Sequence, residues 1–174
     1  MEFRFVPPDL HQLDQLSADL VACSAFEDKR PMAGLAGLLD WRLAGRVSEL
    51  LRTQFAGGAA GEALLVTGRP RLPFDKLLVL GLGPRSEFND ARFLAALDRL
   101  VTCAQGLRIK KLVVELPGRG DDLFSPAHAA DLLVEQLRDP FACDGWTLVE
   151  PPEAAKVFAD QAREASRRVR LVAS

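Results

Sequence analysis

The segment LLVLGLGPRSEFND, residues 77–90, decides how the rest of the sequence is interpreted. It begins with a continuous apolar run, which is typical of a strand covered on both faces. A Gly-Leu-Gly-Pro turn follows at 81–84, and Asn89 has the short polar side chain that caps the start of a helix. The segment therefore predicts a buried strand, a turn and a helix in succession.

Strands and helices alternate on both sides of this segment. Strands are predicted over residues 2–6, 19–26, 62–67, 76–82, 111–116, 146–149 and 168–172. Helices are predicted over 35–52, between Asn89 and Gly106, over 126–138 and over 152–167. The loop 68–74 is too short for a helical crossover and indicates an antiparallel hairpin. We expect one domain over 1–174, an α/β fold with three α/β/α layers around a central 19–26 strand and a mixed, mostly parallel sheet.

The composition excludes several classes of protein. The net charge is −2 and 48% of the residues are hydrophobic, so neither disorder nor a nucleic-acid-coating surface is indicated. No apolar run reaches the roughly 20 residues of a membrane helix, and the N-terminus lacks the pattern of a signal peptide. We therefore expect a cytoplasmic protein with no membrane partner. Nucleic acid is not an expected partner, because the basic clusters 108–111 and 167–170 lack aromatic stacking residues.

Few side chains suit catalysis or metal binding. The two histidines, His11 and His128, are predicted on polar surfaces, and the three cysteines (Cys23, Cys103 and Cys143) have the spacing of free, buried thiols. Asp121 and Asp122 lie in a Gly-Pro loop and are expected to be solvated turn residues. No nucleophile elbow is present. We predict no catalytic residue, no metal site and no cofactor.

The glycine turn has two interpretations. A strand that leads into a helix can direct free backbone N–H groups at a phosphate, which makes Gly81, Gly83 and Ser86 candidate phosphate-binding residues. The full dinucleotide fingerprint is absent, however, and Pro84 removes one N–H donor. A tight corner with no ligand is the simpler interpretation.

The order of several short motifs resembles the N-terminal domain of the leucyl aminopeptidase family. In that family a helix with a Leu-Asp and a Leu-x-Gly pattern leads to Phe-x-Gly and Gly-Glu, then to a strand and a Leu-x-Gly-Leu-Gly turn. Here those positions are Leu39 with Asp40, Leu43 with Gly45, Phe55 with Gly57, Gly61 with Glu62, and Leu80 to Gly83. The resemblance covers about residues 18–117 and extends by element order to the whole chain.

The resemblance implies an accessory domain. The family's two metal ions and its catalytic Lys and Arg belong to a separate C-terminal domain, whose Asn-Thr-Asp-Ala-Glu-Gly-Arg motif this sequence lacks. In full-length relatives the N-terminal domain helps to build a hexamer, and some bacterial relatives bind DNA. The domain is also similar in fold to macro domains, which bind ADP-ribose and related nucleotides.

Three hypotheses follow. The first is a non-catalytic module that acts in self-association, as a homo-oligomer, or in binding a protein partner. The second is a macro-domain-like binder of ADP-ribose or another nucleotide near Gly81, Gly83 and Ser86. The third is part of a metal-dependent aminopeptidase whose catalytic domain is on another chain. Trp41 distinguishes them in part: we expect it in the core, whereas an exposed Trp41 would favour the first hypothesis.

Overall fold

The secondary structure follows the alternation that the sequence predicts. The computed structural model describes residues 3–137 and 145–172, with side chains described as far as residue 167. The strands are β1 (Phe3–Val6), β2 (Leu20–Ala25), β3 (Ala63–Thr67), β4 (Lys76–Gly81), β5 (Lys111–Val114) and β6 (Gly145–Val149). The helices are α1 (Leu10–Leu13), α2 (Gly34–Arg42), α3 (Arg46–Arg52), α4 (Asp90–Gly106), α5 (Pro126–Gln136) and α6 (Pro152–Val172).

The strands form one six-stranded sheet in the order β1-β6-β5-β2-β4-β3. Every pair is parallel except β3 with β4, which form the predicted antiparallel hairpin. Strand β2 lies between β4 and β5, with Val21 opposite Leu77 on one side and Val113 on the other. The mixed, mostly parallel sheet with β2 at its centre is therefore confirmed.

Helices cover both faces of the sheet. On one face Leu35, Leu39 and Val47 of α2 and α3 are buried against apolar side chains of β2 and β4. On the other face α4, α5 and α6 bury a second apolar cluster that includes Phe93 and Phe158. Burial of each large side chain contributes about 1.5–3 kcal/mol. The three-layer α/β/α arrangement is thus confirmed.

The single helix predicted over 35–52 is wrong, because the chain forms two helices there. Gly45 lies between α2 and α3 with φ of 77°, a left-handed conformation that ends one helix and redirects the chain. The Asp40 carboxylate accepts hydrogen bonds from the N–H groups of Val47 and Ser48, at 2.8 and 3.1 Å, and so caps the start of α3. The apolar stripe continues across the break because both helices bury the same side.

The strand predicted over 168–172 is also wrong. These residues continue helix α6, which runs from Pro152 to Val172. Phe158, Ala162 and Ala165 are buried at the i, i+4, i+7 spacing of a helix. Helix α5 ends at Gln136, and Arg138, the last residue of the helix predicted over 126–138, lies outside the described residues.

Candidate functional site

The carboxyl ends of the parallel strands form the edge of the sheet where α/β proteins most often bind ligands. Strands β2, β4, β5 and β6 end there, and each is followed by a loop with charged or glycine residues. The predicted phosphate-binding turn follows β4 and lies at this edge. We refer to these loops together as the carboxyl edge.

The glycine turn packs tightly against the neighbouring chain. Gly81 donates its N–H to the carbonyl of Glu62 at 2.8 Å, and Gly83 donates its N–H to the carbonyl of Gly58 at 2.9 Å. Gly83 has φ of 76°, which explains the glycine there. Ser86 is exposed at the start of the next helical turn. Two of the amides on which a phosphate site would depend thus already have partners, and phosphate binding by this turn stays a prediction.

A buried ion pair joins the loops after β5 and β6. Arg119 donates from Nε and Nη2 to the two carboxylate oxygens of Glu150, at 2.7 and 2.8 Å, and both side chains are buried. A third bond runs from Arg119 Nη1 to the carbonyl of Phe124 at 2.5 Å. These bonds to Glu150 raise the pKa of Arg119. The pair is bidentate and directional, the geometry in which guanidinium and carboxylate bind each other most strongly.

Glu115 is a second buried carboxylate at the carboxyl edge. Its Oε1 accepts the N–H of Leu35 at 3.0 Å, and so it caps helix α2 from a distant strand. Ala33, the residue before α2, has no polar side chain that could cap the helix, so Glu115 supplies the cap. Burial is the main cause that raises the pKa of Glu115 to about 7, and the nearby Glu150 carboxylate acts in the same direction. The charge of Glu115 therefore changes near neutral pH.

Two glycines make room for this carboxylate. A Cβ on Gly34 would lie 2.6 Å from the oxygens of Glu115, and one on Gly120 would lie 2.6 Å from Oε2. Gly34 also has φ of 56°, so that both space and backbone conformation require glycine there. Helix α2 and the loop after β5 can approach only because these positions lack side chains.

The expectation that Asp121 and Asp122 are both solvated is half wrong. The Asp122 side chain is 94% exposed, but that of Asp121 is only 11% exposed and forms an ion pair with Lys29. Arg85 Nε lies 3.8 Å from the same Asp121 oxygen. Asp121 thus connects the loops after β2, β4 and β5. A short charged loop does not show from sequence which of its carboxylates turns inward.

The buried side chains at the carboxyl edge escape sequence reasoning because their partners are far apart along the chain. Arg119 and Glu150 are separated by 31 residues. One signal could have found them: Glu115 and Glu150 each follow a buried apolar strand directly. In the part of the chain that the structure describes, no group of three or more His, Cys, Asp or Glu side chains could hold a metal ion.

Trp41 lies on the outer surface of α2 and not in the core, so the prediction of a core Trp is wrong. Its side chain is 72% exposed. Leu35 and Leu39 lie on the buried face of this helix. Trp41 follows Leu39 by two positions, a rotation of about 200° around the helix axis, and so it points away from the core. Trp41 borders a groove of about 600 Å³.

The groove beside Trp41 adjoins a second one. The first is lined by Pro31, Met32, Gly37, Asp40, Trp41, Ala44, Gly45 and Ser48. The second, of about 700 Å³, shares Pro31 and Ser48 and continues along α3 to Gly57. Phe55, just after α3, is also exposed. We call Trp41 and these two grooves the Trp41 surface.

The remaining predicted residues have ordinary surroundings. His128 is partly exposed and its Nε2 lies 2.8 Å from the Asp90 carboxylate, while His11 is exposed on α1. Cys23 is buried, which raises the pKa of its thiol, and Cys103 is partly buried. Cys143 lies outside the described residues. Among the helices of the described ranges, none is long and apolar enough to cross a membrane.

Solved structures share this architecture. A macrodomain of Oceanobacillus iheyensis with MES bound superposes with a TM-score of 0.71 at 8% identity, over 90% of this chain and 89% of that one. A Trypanosoma brucei macrodomain in complex with ADP-ribose gives 0.70 at 15% identity, over 91% and 67%. A mutant of tomato leucine aminopeptidase gives 0.66 at 15% identity, over 95% and 36%. The chain is thus an α/β protein of macrodomain-like fold.

Sequence comparison then identifies the family. The model of the cytosol aminopeptidase family, N-terminal domain, matches residues 21–140, and the chain belongs to that family. A probable cytosol aminopeptidase of Synechocystis is 32% identical over 119 residues, which are 68% of this chain and 24% of that protein. One of Pseudomonas syringae pv. syringae is 28% identical over 112 residues, 64% of this chain and 23% of that protein. The chain spans about a quarter of the curated relatives that it matches.

Proposed function

We propose that this chain is a non-catalytic module of aminopeptidase ancestry that acts by binding another protein chain through the Trp41 surface. The single observation that carries the proposal is the exposure of Trp41, at 72%, beside two adjoining grooves. Transfer of a large aromatic side chain out of water is worth about 1.5–3 kcal/mol, and Trp is enriched among residues that dominate protein interfaces.

The carboxyl edge supports a binding role over a chemical one. Its buried charges are engaged with each other or with backbone groups: Arg119 with Glu150, Glu115 with the Leu35 amide, and Asp121 with Lys29. Each bond holds loops together. The partner on the Trp41 surface is a chain that supplies the catalytic domain of an aminopeptidase.

The test uses charge introduced at the exposed aromatic. Trp41→Lys should keep the fold, since the side chain makes little core contact, and should weaken association by about tenfold or more. Val157→Lys is the matched control, because Val157 is an apolar side chain of α6 that is 50% exposed. Association is measured by sedimentation of the chain mixed with the catalytic domain of a cytosol aminopeptidase.

Fluorescence gives an independent readout. The chain has two tryptophans and Trp146 is buried, so a shift of emission to shorter wavelength on association would report on Trp41. Equal association of Trp41→Lys and the unaltered chain with the catalytic domain would contradict the proposal, as would emission that does not respond to this partner.

Nucleotide binding is a second candidate, favoured by the position of Gly81, Gly83 and Ser86 at the carboxyl edge of a macrodomain-like fold. A ligand that binds only the folded chain raises the unfolding free energy by about 2.7 kcal/mol at a concentration of 100 Kd. We would measure the melting temperature with ADP-ribose for the unaltered chain and for Ser86→Asp, whose added charge repels a phosphate. An absent or equal shift in the two proteins would exclude this site.

A further inference from the structure

Strand β3 (Ala63–Thr67) forms an open edge of the sheet. It pairs with β4 alone, and no other strand of the described residues lies beyond it. Its sequence, ALLVT, contains no charged residue and no proline, which are among the features that usually protect an edge from pairing with another chain. The opposite edge strand, β1, has such protection, since it carries Arg4 and is followed by two prolines.

The hydrogen bonds at the two ends of the β3–β4 pair show which backbone groups of β3 face β4 and which face the open side. Gly81 donates its N–H to the Glu62 carbonyl at 2.8 Å, and Gly68 donates its N–H to the Asp75 carbonyl at 3.0 Å. Residues 62 and 68 therefore direct their hydrogen-bonding groups towards β4. Because these groups alternate along an antiparallel strand, Ala63, Leu65 and Thr67 direct theirs to the open side.

The side chains fix this strand in place. Leu64 is buried and Val66 packs against the core beneath α2 and α3, so a slip by one residue would expose both. Leu65 points to the other face and is 48% exposed at the midpoint of the strand. The open edge is thus preformed and has an apolar centre.

We propose that β3 of one molecule pairs antiparallel with β3 of a second copy, about a twofold axis at Leu65. In that register Ala63 lies opposite Thr67 of the copy and Leu65 lies opposite its own equivalent, which gives about six backbone hydrogen bonds. The two six-stranded sheets then form one continuous sheet.

A second copy is the occupant that fits best because this edge is complementary to itself. Its three outward residues are centred on Leu65, so a twofold axis pairs every donor with an acceptor. The flanking charges do not oppose the pairing. The Glu62 carboxylate accepts the amides of Gly57 and Gly58 in its own chain and would face Gly68 of the copy. Arg69 is paired with Asp75.

This inference goes beyond the proposed function, because it assigns a different surface and a defined partner. Trp41 lies on α2 and is not part of the β3 edge. The two proposals can therefore fail separately.

The test compares hydrodynamic mass across protein concentration for the unaltered chain and four variants. We expect dimers of the unaltered chain, at least tenfold weaker dimerisation in Leu65→Lys and in Leu65→Pro, and no change in Trp41→Lys or Val157→Lys. Proline at 65 removes only an outward N–H, which an edge strand tolerates. A monomer at all concentrations, or dimers that the two Leu65 variants leave intact, would overturn the inference.

Amide hydrogen exchange keeps the test decisive if the Leu65 variants fold poorly. In the unaltered chain the amides of Leu64 and Val66 should be protected at every concentration, because they bond to β4. Those of Ala63, Leu65 and Thr67 should become protected only as concentration rises. Rapid exchange of these three amides at high concentration would contradict the pairing. Dimers lost in Trp41→Lys alone would assign the contact to the Trp41 surface instead.

Discussion

Replacement of Glu115 by Gln tests the electrostatics of the carboxyl edge directly. Glutamine keeps the shape of the side chain and an oxygen that can accept the Leu35 N–H, but it cannot ionise. In the folded chain Glu115 has a pKa of about 7, raised from 4.5 mainly by burial. The substitution therefore removes one titration and leaves the cap of α2 in place.

The pH dependence of the unfolding free energy follows from proton linkage at Glu115. Between pH 4.5 and 7 the folded chain holds the Glu115 proton more tightly than the unfolded chain, so the stability of the folded state falls as the pH rises through this range. One pKa unit corresponds to 1.36 kcal/mol, and the shift thus amounts to roughly 3 kcal/mol. That stabilisation is complete below the unfolded pKa and is lost above the folded one.

Urea unfolding at acidic and at slightly alkaline pH measures this difference. Relative to the unaltered chain, the unfolding free energy of Glu115→Gln should rise by roughly 2.5 kcal/mol between pH 5 and pH 8. Asp19→Asn is the control. The amides of Lys110 and Lys111 lower the pKa of Asp19, so the free-energy difference between Asp19→Asn and the unaltered chain should stay constant over this range. If the free-energy difference between Glu115→Gln and the unaltered chain stays constant or falls as the pH rises, Glu115 does not have a raised pKa in the folded chain.

Three further substitutions, measured by chemical denaturation, test the contacts at the carboxyl edge and at the break between α2 and α3. Gly34→Ala should cost about 2 kcal/mol, since its Cβ meets the Glu115 carboxylate at a positive φ, while Gly106→Ala, in open space, should cost nothing. Glu150→Gln should cost about 3 kcal/mol by leaving the buried Arg119 with only the exposed Asp122, 3.7 Å away, as a carboxylate partner, and an unchanged midpoint would contradict this. Asp40→Ala should cost about 1–2 kcal/mol through the lost cap of α3, and a smaller loss than at an exposed carboxylate such as Asp122 would count against that role.

The sheet was predictable because each strand shows its burial in the pattern of its own apolar residues. Strand β2 is an apolar run because it is covered on both faces, and the short loop at 68–74 indicated the antiparallel pair. The break at Gly45 was not predictable from the apolar stripe. Helices α2 and α3 bury the same side, so the spacing of leucines hardly changes across a turn that depends on backbone conformation alone.

The C-terminal error has a different physical cause. The sequence RVRLV, residues 168–172, alternates as a strand does, although it follows the helical period of residues 152–167. A helix that already has a buried face at Phe158 and Ala162 extends at little cost, because each added residue gains a hydrogen bond without a new nucleus. Continuation of an established helix was therefore the better prediction.

The chemistry of the carboxyl edge was the least predictable part, because it consists of contacts between distant segments. Asp121 meets Lys29 across 92 positions and Glu115 meets Leu35 across 80. No spacing rule connects such pairs. The sequence could show that the glycine turn is a corner at a strand end, but not which carbonyl groups of residues 58 and 62 accept its N–H groups.

These contacts also support the proposed association through the Trp41 surface. In open α/β sheets the carboxyl edge binds ligands when its loops leave a crevice with free polar groups. Here Asp121 and Glu115 tie the loops after β2 and β5 to each other and to the start of α2. Helix α2, held by its cap at one end, then presents Trp41 on a fixed scaffold. An interface residue on a rigid element loses less entropy on binding, and so the buried charges that join these loops would favour the proposed protein contact on α2.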